Sequence, residues 1–339
     1  MTIEEMAKEL GVSKSTVSRA LSGKGRIGEE TRMRIQQFAM SNPQKKVKTE
    51  EIVTQTVSKD ALSGNLGVVI PIDAYGTSIP FFQECLLGIC ETANLLKYNV
   101  LITTGSVNDI SEMQKLVENR KVDGMILARS IDEDKTLKYL VEIGFPTGLI
   151  GECEYDEVLQ VDTDGKAAAE ELTMMLISKG YRRFAFIVGN TAYRVNRLRR
   201  DGFLHALEMS GISPEAQHIY SGVVNMGVID NLIADIIANR TECVVCGDDV
   251  ICTTLMSRLQ AEGYRIPKDI AIVSLYNSSN LECFSPAVTA VNISAKRLGN
   301  TMAKQMIQYL ESGDMEIWKH PGKMMLDYEI LFRKSTGKG

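Results

Sequence analysis

From Leu66 onward the chain alternates short apolar runs with segments whose apolar residues recur every three or four positions. Runs of strand length fall at Leu66–Ile70, Val100–Thr103, Gly124–Leu127, Thr147–Ile150, Phe184–Val188, Cys243–Cys246 and Ile270–Leu275. Helical patterns separate them at about Phe81–Lys97, Ile110–Asn119, Asp134–Ile143, Lys166–Lys179, Asn196–Ser210, Val228–Ala238 and Val250–Glu262. Such alternation builds right-handed βαβ crossovers and parallel sheets whose strands are buried on both faces. The pattern runs twice, over about residues 66–161 and again over about 162–290. That predicts an α/β protein of two doubly wound lobes, with a ligand cleft between them at the carboxyl ends of the strands. Asp73, at the end of the first strand, and Arg129, at the end of the third, are candidate ligand contacts by position alone.

The first forty residues follow a different pattern. Thr2-Ile3-Glu4-Glu5 reads as a capping box, in which the Thr hydroxyl and the Glu carboxylate satisfy each other's backbone amides. Ile3, Met6, Ala7 and Leu10 share one helical face, and Gly11 stands where a helix end calls for a left-handed residue. Ser13 can cap a second helix that turns Val17, Ala20 and Leu21 inward, leaving Lys14, Ser15, Thr16, Ser18 and Arg19 outward or at its N-terminal end. A third helix is expected from about Glu29 to Ala39. Two short helices joined by a tight Gly turn form a helix-turn-helix, whose second helix enters the major groove of DNA. The Ser and Thr hydroxyls and the long Arg19 supply donors for phosphates and base edges.

Charge sharpens that reading. The first 48 residues hold ten basic side chains against five acidic ones, whereas the 339-residue chain carries −5 overall. The body therefore sums to −10, and a basic head on an acidic body is the footprint of a nucleic-acid-binding module. With 44% hydrophobic and 24% charged residues, the chain can bury a sizeable core. No apolar run approaches the roughly 20 residues that span a bilayer, and no signal-peptide pattern opens the chain. Seven scattered Cys in so long a chain suggest a reducing cytoplasm.

The string from Ile3 to Gly23 closely resembles the head of the lactose-repressor (LacI/GalR) family, and Glu30-Thr31-Arg32 resembles that family's third-helix opening. The resemblance implies that Lys14, Ser15 and Arg19 read bases, with Ser13, Thr16 and Ser18 near phosphates. It also implies a short hinge helix whose Leu wedges into the minor groove. Asn42-Pro43-Gln44 keeps the hinge Pro, but the Ala and Leu positions read Val47 and Glu50. The stretch is several residues longer than the family norm and carries Glu50, Glu51 and Asp60, which phosphates would repel. It reads as a flexible tether.

The body resembles the periplasmic-sugar-binding-like core of the same family over essentially all of residues 66–333. That implies three crossings between the lobes, with a helix at Ala295–Leu310 returning to the first and a strand at Met324–Leu331 returning to the second. Ile79-Pro80-Phe81-Phe82 resembles the family's Asn-Pro-Phe-Phe, whose rings line the sugar site. Arg199-Arg200-Asp201-Gly202-Phe203 resembles an Arg-x-x-Gly-Phe opening whose Arg grips ligand oxygens, a role suited to a fixed fork of donors. Cys246-Gly247-Asp248-Asp249 resembles Ala-Asn-Asp, placing Asp248 or Asp249 at the cleft. Each has a plainer reading: Phe81 or Phe82 as core, Arg199 as a surface residue, Asp248 as the cap of the helix that follows. The family's Gly-Phe-Asp-Asp reads Ser274-Leu275-Tyr276-Asn277 here, so Tyr276 replaces an Asp that often binds sugar. Tyr276 can stack and hydrogen-bond but brings no charge.

Cys243-Val244-Val245-Cys246 has metal or redox spacing, but period two along a strand puts the two Cys on opposite faces. The three His are isolated, and neither a nucleophile elbow nor a phosphate-binding Gly loop is present. The expected organisation is a helix-turn-helix head (1–44), a linker (45–64) and a two-lobed effector-binding and dimerisation domain (65–335). Lobe 1 takes about 66–161 and 292–320, and lobe 2 about 162–290 and 322–333. The expected function is that of a homodimeric, non-enzymatic, cytoplasmic regulator of a double-stranded DNA operator, without cofactor or metal. A sugar-like effector would control it. A sugar sensor whose head does not bind DNA is the alternative.

Overall fold

A computed structural model of the chain describes residues 3–13, 16–17, 28, 31, 33–35, 62–71, 80–105 and 109–337. They fall in two compact units, Met1–Thr56 and Val57–Gly339.

In the first unit, helix α1 (Ile3–Leu10) ends where the sequence predicts. Gly11 adopts φ +66°, and the Val12 N–H reaches back to the Ala7 carbonyl at 3.0 Å. No atom lies within 4 Å of where a Gly11 Cβ would stand, so the left-handed backbone, not space, calls for glycine. Ser13 caps the next helix: the Thr16 N–H donates to its Oγ at 3.1 Å, and the Val17 N–H to its carbonyl at 3.1 Å. Ala7, Val17 and Ile35 are buried, while Leu10 is half-buried. Lys14, Ser15, Ser18 and Arg19 lie outside the described residues, as does the linker from residue 45 to 61.

The second unit holds two six-stranded sheets. The first contains β1 (Asn65–Pro71), β2 (Asn99–Gly105), β3 (Gly124–Leu127), β4 (Thr147–Ile150), β5 (Leu159–Thr163) and β11 (Lys323–Leu326). Its order is β11-β5-β4-β3-β1-β2, and every pairing is parallel. The second contains β6 (Phe184–Ile187), β7 (His218–Tyr220), β8 (Cys243–Cys246), β9 (Ala271–Ser274), β10 (Thr289–Asn292) and β12 (Glu329–Leu331). Its order is β12-β10-β9-β8-β6-β7, parallel except for β12 against β10. The strand order reverses beside β1 in one sheet and beside β6 in the other, which opens a crevice at their carboxyl ends.

Helices cover both faces of each sheet, and a short helix α9 (Ser279–Cys283) follows β9. Alternation along the strands sends Val68 and Ile126 toward α2 (Pro80–Leu95) and α10 (Ala295–Ser312). Val69, Met125 and Leu127 face α3 (Ser111–Glu118) and α4 (Lys135–Glu142) on the other side. In the second lobe, Phe184, Phe186 and Val245 meet α5 (Gly165–Ser178) and α6 (Arg194–Met209), in a core continuous with that of α2 and α10. Val244 and Cys246 meet α7 (Ile229–Ala238) and α8 (Asp249–Ala261). Cys243 and Cys246 therefore point to opposite faces, and burial with the Cys252 contact pushes the Cys246 thiol up. Among the described residues no group of three potential metal ligands occurs.

The expected strand at Met324–Leu331 requires correction, because the segment is two strands in two sheets. Met324 to Leu326 belong to β11, parallel to β5 in the first sheet, and the chain crosses at Asp327-Tyr328 before β12 joins the second. The apolar alternation runs through that break almost unchanged, which is why it reads as one strand. The crossings are nonetheless three: after β5, between β10 and α10, and between β11 and β12.

Candidate functional site

A cavity opens between the lobes where the two sets of strand ends meet. Its walls include Phe81 and Phe82 from α2, Arg129 after β3, Arg199 from α6, Asp248 after β8 and Tyr276 after β9. Six of the eight candidate cleft residues thus line one cavity. Asp249 is turned into the lobe, 1% exposed and away from that wall. Asp73 lies outside the described residues.

Each wall residue is held by local structure. Asp248 has extended backbone, φ −152°, and its Oδ1 accepts from the Ile251 N–H at 2.9 Å, so it caps α8 while facing the cavity. The two readings open for Asp248 in the sequence are compatible. Arg199 is 8% exposed, and its Nη1 donates to the Gly247 carbonyl at 2.8 Å, anchoring the guanidinium across the switch point. The Gly-Phe that follows it is packing. A Cβ at Gly202 would stand 2.2 Å from the Lys166 carbonyl oxygen, so only glycine lets α6 approach α5 this closely. Phe203 is fully buried and stacks on Phe186 at 4.8 Å.

Aromatic rings form another wall. Phe81 makes edge contacts with Phe82 (5.5 Å) and, across the lobes, with Tyr276 (5.8 Å). The Tyr276 hydroxyl points to Glu84 Oε2 at 3.5 Å, again across the lobes. Tyr276 is 1% exposed, and burial together with the Glu84 carboxylate pushes its phenol well above the ordinary range, so it remains neutral. Phe81 and Phe82 are only half-buried, and Phe81 also packs on the core, so cavity and core share that ring.

Several wall residues carried no recognisable motif. Arg194 Nε donates to Glu152 Oε1 at 3.0 Å across the lobes, and Lys323 bonds the other oxygen. Burial alone would raise the Glu152 carboxyl, but these two cations outweigh it and hold it below the usual range. Asp162, on β5, is pushed up to about 6 by burial and by the neighbouring Glu152, against the Thr163 backbone bond. The Arg194 N–H also donates to the Ser130 carbonyl (3.0 Å), Ile131 bridges Tyr193, and Arg197 pairs with Asp132 (2.5 Å). These contacts clasp the lobes along one rim. Glu152 follows the end of β4, so the strand-end position that singles out Asp73 and Arg129 also marks it in the sequence.

Arg129 is the least satisfied group in the cavity wall. It is 4% exposed, yet its Nε and Nη2 have no hydrogen-bond acceptor. Asp134 Oδ2 pairs with Nε electrostatically at 3.8 Å but makes no hydrogen bond, while Oδ1 caps α4 at the Thr136 N–H (2.8 Å).

The second unit is thus a periplasmic-binding-protein-like body, with two doubly wound lobes and one cavity where their switch points meet. Residues 173–336 match the periplasmic binding protein-like domain, and residues 2–42 match the bacterial regulatory proteins of the lacI family. The chain belongs to the lacI family of bacterial regulatory proteins. The HTH-type transcriptional regulator MalR of Staphylococcus xylosus is similar to it over 345 residues at 28% identity, covering 99% of this chain and 98% of that protein. The transcription regulator CcpA of Lactococcus lactis superposes with a TM-score of 0.69 at 25% identity, over 80% of this chain and 99% of its own. A complex of the transcriptional regulator CelR with cellobiose has the same fold, with a TM-score of 0.71 at 22% identity over 99% of both chains.

Proposed function

We propose that this chain is a sequence-specific DNA-binding transcription regulator, acting as a repressor, whose operator affinity is set by a sugar-like molecule bound between the lobes. The observation that carries the reading is the cavity itself. It joins both lobes and collects buried Arg199 and Arg129, the Asp248 carboxylate and the rings of Phe81, Phe82, Tyr193 and Tyr276. Guanidinium forks and a carboxylate suit hydroxyl-rich ligands, and ring faces and edges suit the apolar faces of sugars. The CelR neighbour, of the same fold, is a cellobiose complex.

In the head, Ser13, Lys14, Ser15, Thr16, Ser18 and Arg19 meet the operator, with Lys14, Ser15 and Arg19 at base edges. Two copies read a pseudo-palindrome. Exposed Leu87 and Leu95 on α2 and Ile102 on edge strand β2 supply apolar surface for pairing. A ligand that prefers one arrangement of the lobes shifts the population by its differential affinity and so changes operator binding. The chain works in the cytoplasm, without catalysis, cofactor or metal; among the described residues no helix is long and apolar enough to cross a membrane.

Gel retardation of genomic fragments, with and without a sugar panel, tests the proposal. A retained fragment that one sugar releases supports it, and no retention at low salt overturns it. Arg199→Ala is expected to abolish the thermal stabilisation by that sugar while leaving fragment retention intact.

A further inference from the structure

Building on the proposed ligand reading, we infer that the effector is an acidic sugar, whose carboxylate or phosphate is taken by Arg129.

The charges around the cavity carry the inference. Among the described residues three carboxylates line it, and each has partners. Glu152 is bonded by Arg194 and Lys323, Asp248 caps α8, and Asp162 accepts from the Thr163 N–H at 2.8 Å. Arg194 answers Glu152, and Arg199 answers the Gly247 carbonyl. Arg129 is held only loosely, a nearly fully buried guanidinium whose Nε and Nη2 have no hydrogen-bond acceptor among the described residues and whose ion pair with Asp134 Oδ2 spans 3.8 Å. Asp134, its nearest carboxylate, is spent on the α4 cap through Oδ1 and holds Oδ2 beyond hydrogen-bond distance. A buried ion pair whose guanidinium makes no hydrogen bond through Nε or Nη2 leaves its desolvation incompletely offset, and this guanidinium lines the cavity.

The chemistry of the unpartnered pair narrows the occupant. Nε and Nη2 form the side-on fork of a guanidinium, two parallel donors whose spacing matches two oxygens of one carboxylate or phosphate. A lone sugar hydroxyl fills half of that fork. Both nitrogens are covered in the structure, so engagement takes a turn of the guanidinium toward the cavity it already lines. Thr163 Oγ1, also buried on the wall and without a hydrogen-bond partner, is a further donor for the ligand. Tyr276 fits this assignment. A neutral phenol in place of a carboxylate removes a repulsive charge from the cleft, and an acidic ligand benefits.

The test uses the full chain with glucose, glucuronate and glucose 6-phosphate as probes, read by thermal shift and calorimetric titration. The expected result is binding of glucuronate or glucose 6-phosphate at least about tenfold tighter than glucose. The preferred acid identifies carboxylate or phosphate as the group recognised. Arg129→Gln should remove that preference by at least about tenfold, and Arg129→Lys, which keeps the charge but not the fork, should retain part of it. Glucose binding as tightly as the acids, with Arg129→Gln unaltered, overturns the acidic ligand and leaves the regulator reading standing. No binding of any probe also overturns it, and the regulator reading is then decided separately by fragment retention.

Discussion

Replacing Gly202 by Ala should cost the two-lobed body about 1–2 kcal/mol and loosen the cavity at Arg199. The added Cβ would stand 2.2 Å from the Lys166 carbonyl oxygen, 3.0 Å from its carbon and 3.1 Å from the Glu170 nitrogen. Against an optimal separation of roughly 3.5 Å, the oxygen contact is over-close by more than about 1 Å. The obstacle is backbone in the first turn of α5. That turn is fixed by Asp164, whose Oδ1 accepts from the Ala167 N–H at 2.8 Å, so it cannot swing aside as a side chain would. The helices must part instead, and overpacking of this kind costs about 1–3 kcal/mol. Against that, Ala is a better helix former than Gly by up to about 1 kcal/mol. The net loss corresponds to a fall in Tm of about 2–6 °C for a body of this size. Arg199 sits one turn earlier on α6 and would shift with it, away from the Gly247 carbonyl. Ligand-induced stabilisation should therefore fall beyond the change in Tm itself. Scanning calorimetry with and without ligand reads both effects. A Tm within roughly 1 °C of the parent, with ligand stabilisation intact, would refute the close-approach argument.

The same glycine shows what the sequence could and could not convey. The two-fold repeat of strand and helix was legible because periods of 2 and 3.6 are the direct imprint of which faces are buried. The missed strands β5, β7 and β10 are short and interrupted by polar residues: Gln160 and Asp162 in β5, His218 opening β7. β11 and β12 merged because a single crossing at Asp327-Tyr328 barely disturbs the alternation. At the cavity, Phe81, Phe82, Arg199 and Asp248 were legible because each sits in a motif whose neighbours do packing work, as Gly202 and Phe203 do for Arg199. Adjacent Asp248 and Asp249 could not be told apart, since successive residues at a helix start point about 100° apart and only one can face the cavity. Glu152, Asp162 and Arg194 belong to no motif. Their roles come from contacts between segments far apart in the chain, which periodicity does not encode. The missing acceptors of Arg129 are a property of three-dimensional surroundings alone.

Two further perturbations test other parts of the fold. Gly11→Ala should destabilise the head by about 1 kcal/mol, because the φ of +66° is strained for a Cβ although space is free, and Gly11→Asn should cost less. Hydrogen exchange of α1 amides reads this, and equal protection in both variants would contradict it. Asp249→Asn should change how the body's stability depends on pH. Asp249 is 1% exposed with Oδ1 unpartnered, and burial, aided by the Asp248 carboxylate, pushes its carboxyl up to about 6 from 3.8. The folded state therefore holds this proton more tightly than the unfolded chain. The associated stability is fully present below about pH 4 and is lost as pH rises through about 6. Asn cannot ionise, so the variant should match the parent near pH 4 and exceed it near pH 7. The upper bound is on the order of 3 kcal/mol, before the helix-start preference for a negative charge is set against it. The difference in unfolding free energy, measured by urea titration across that window, should grow with pH. A difference that stays flat or falls would mean that the carboxylate, ionised, is compensated by partners that its buried surroundings do not reveal.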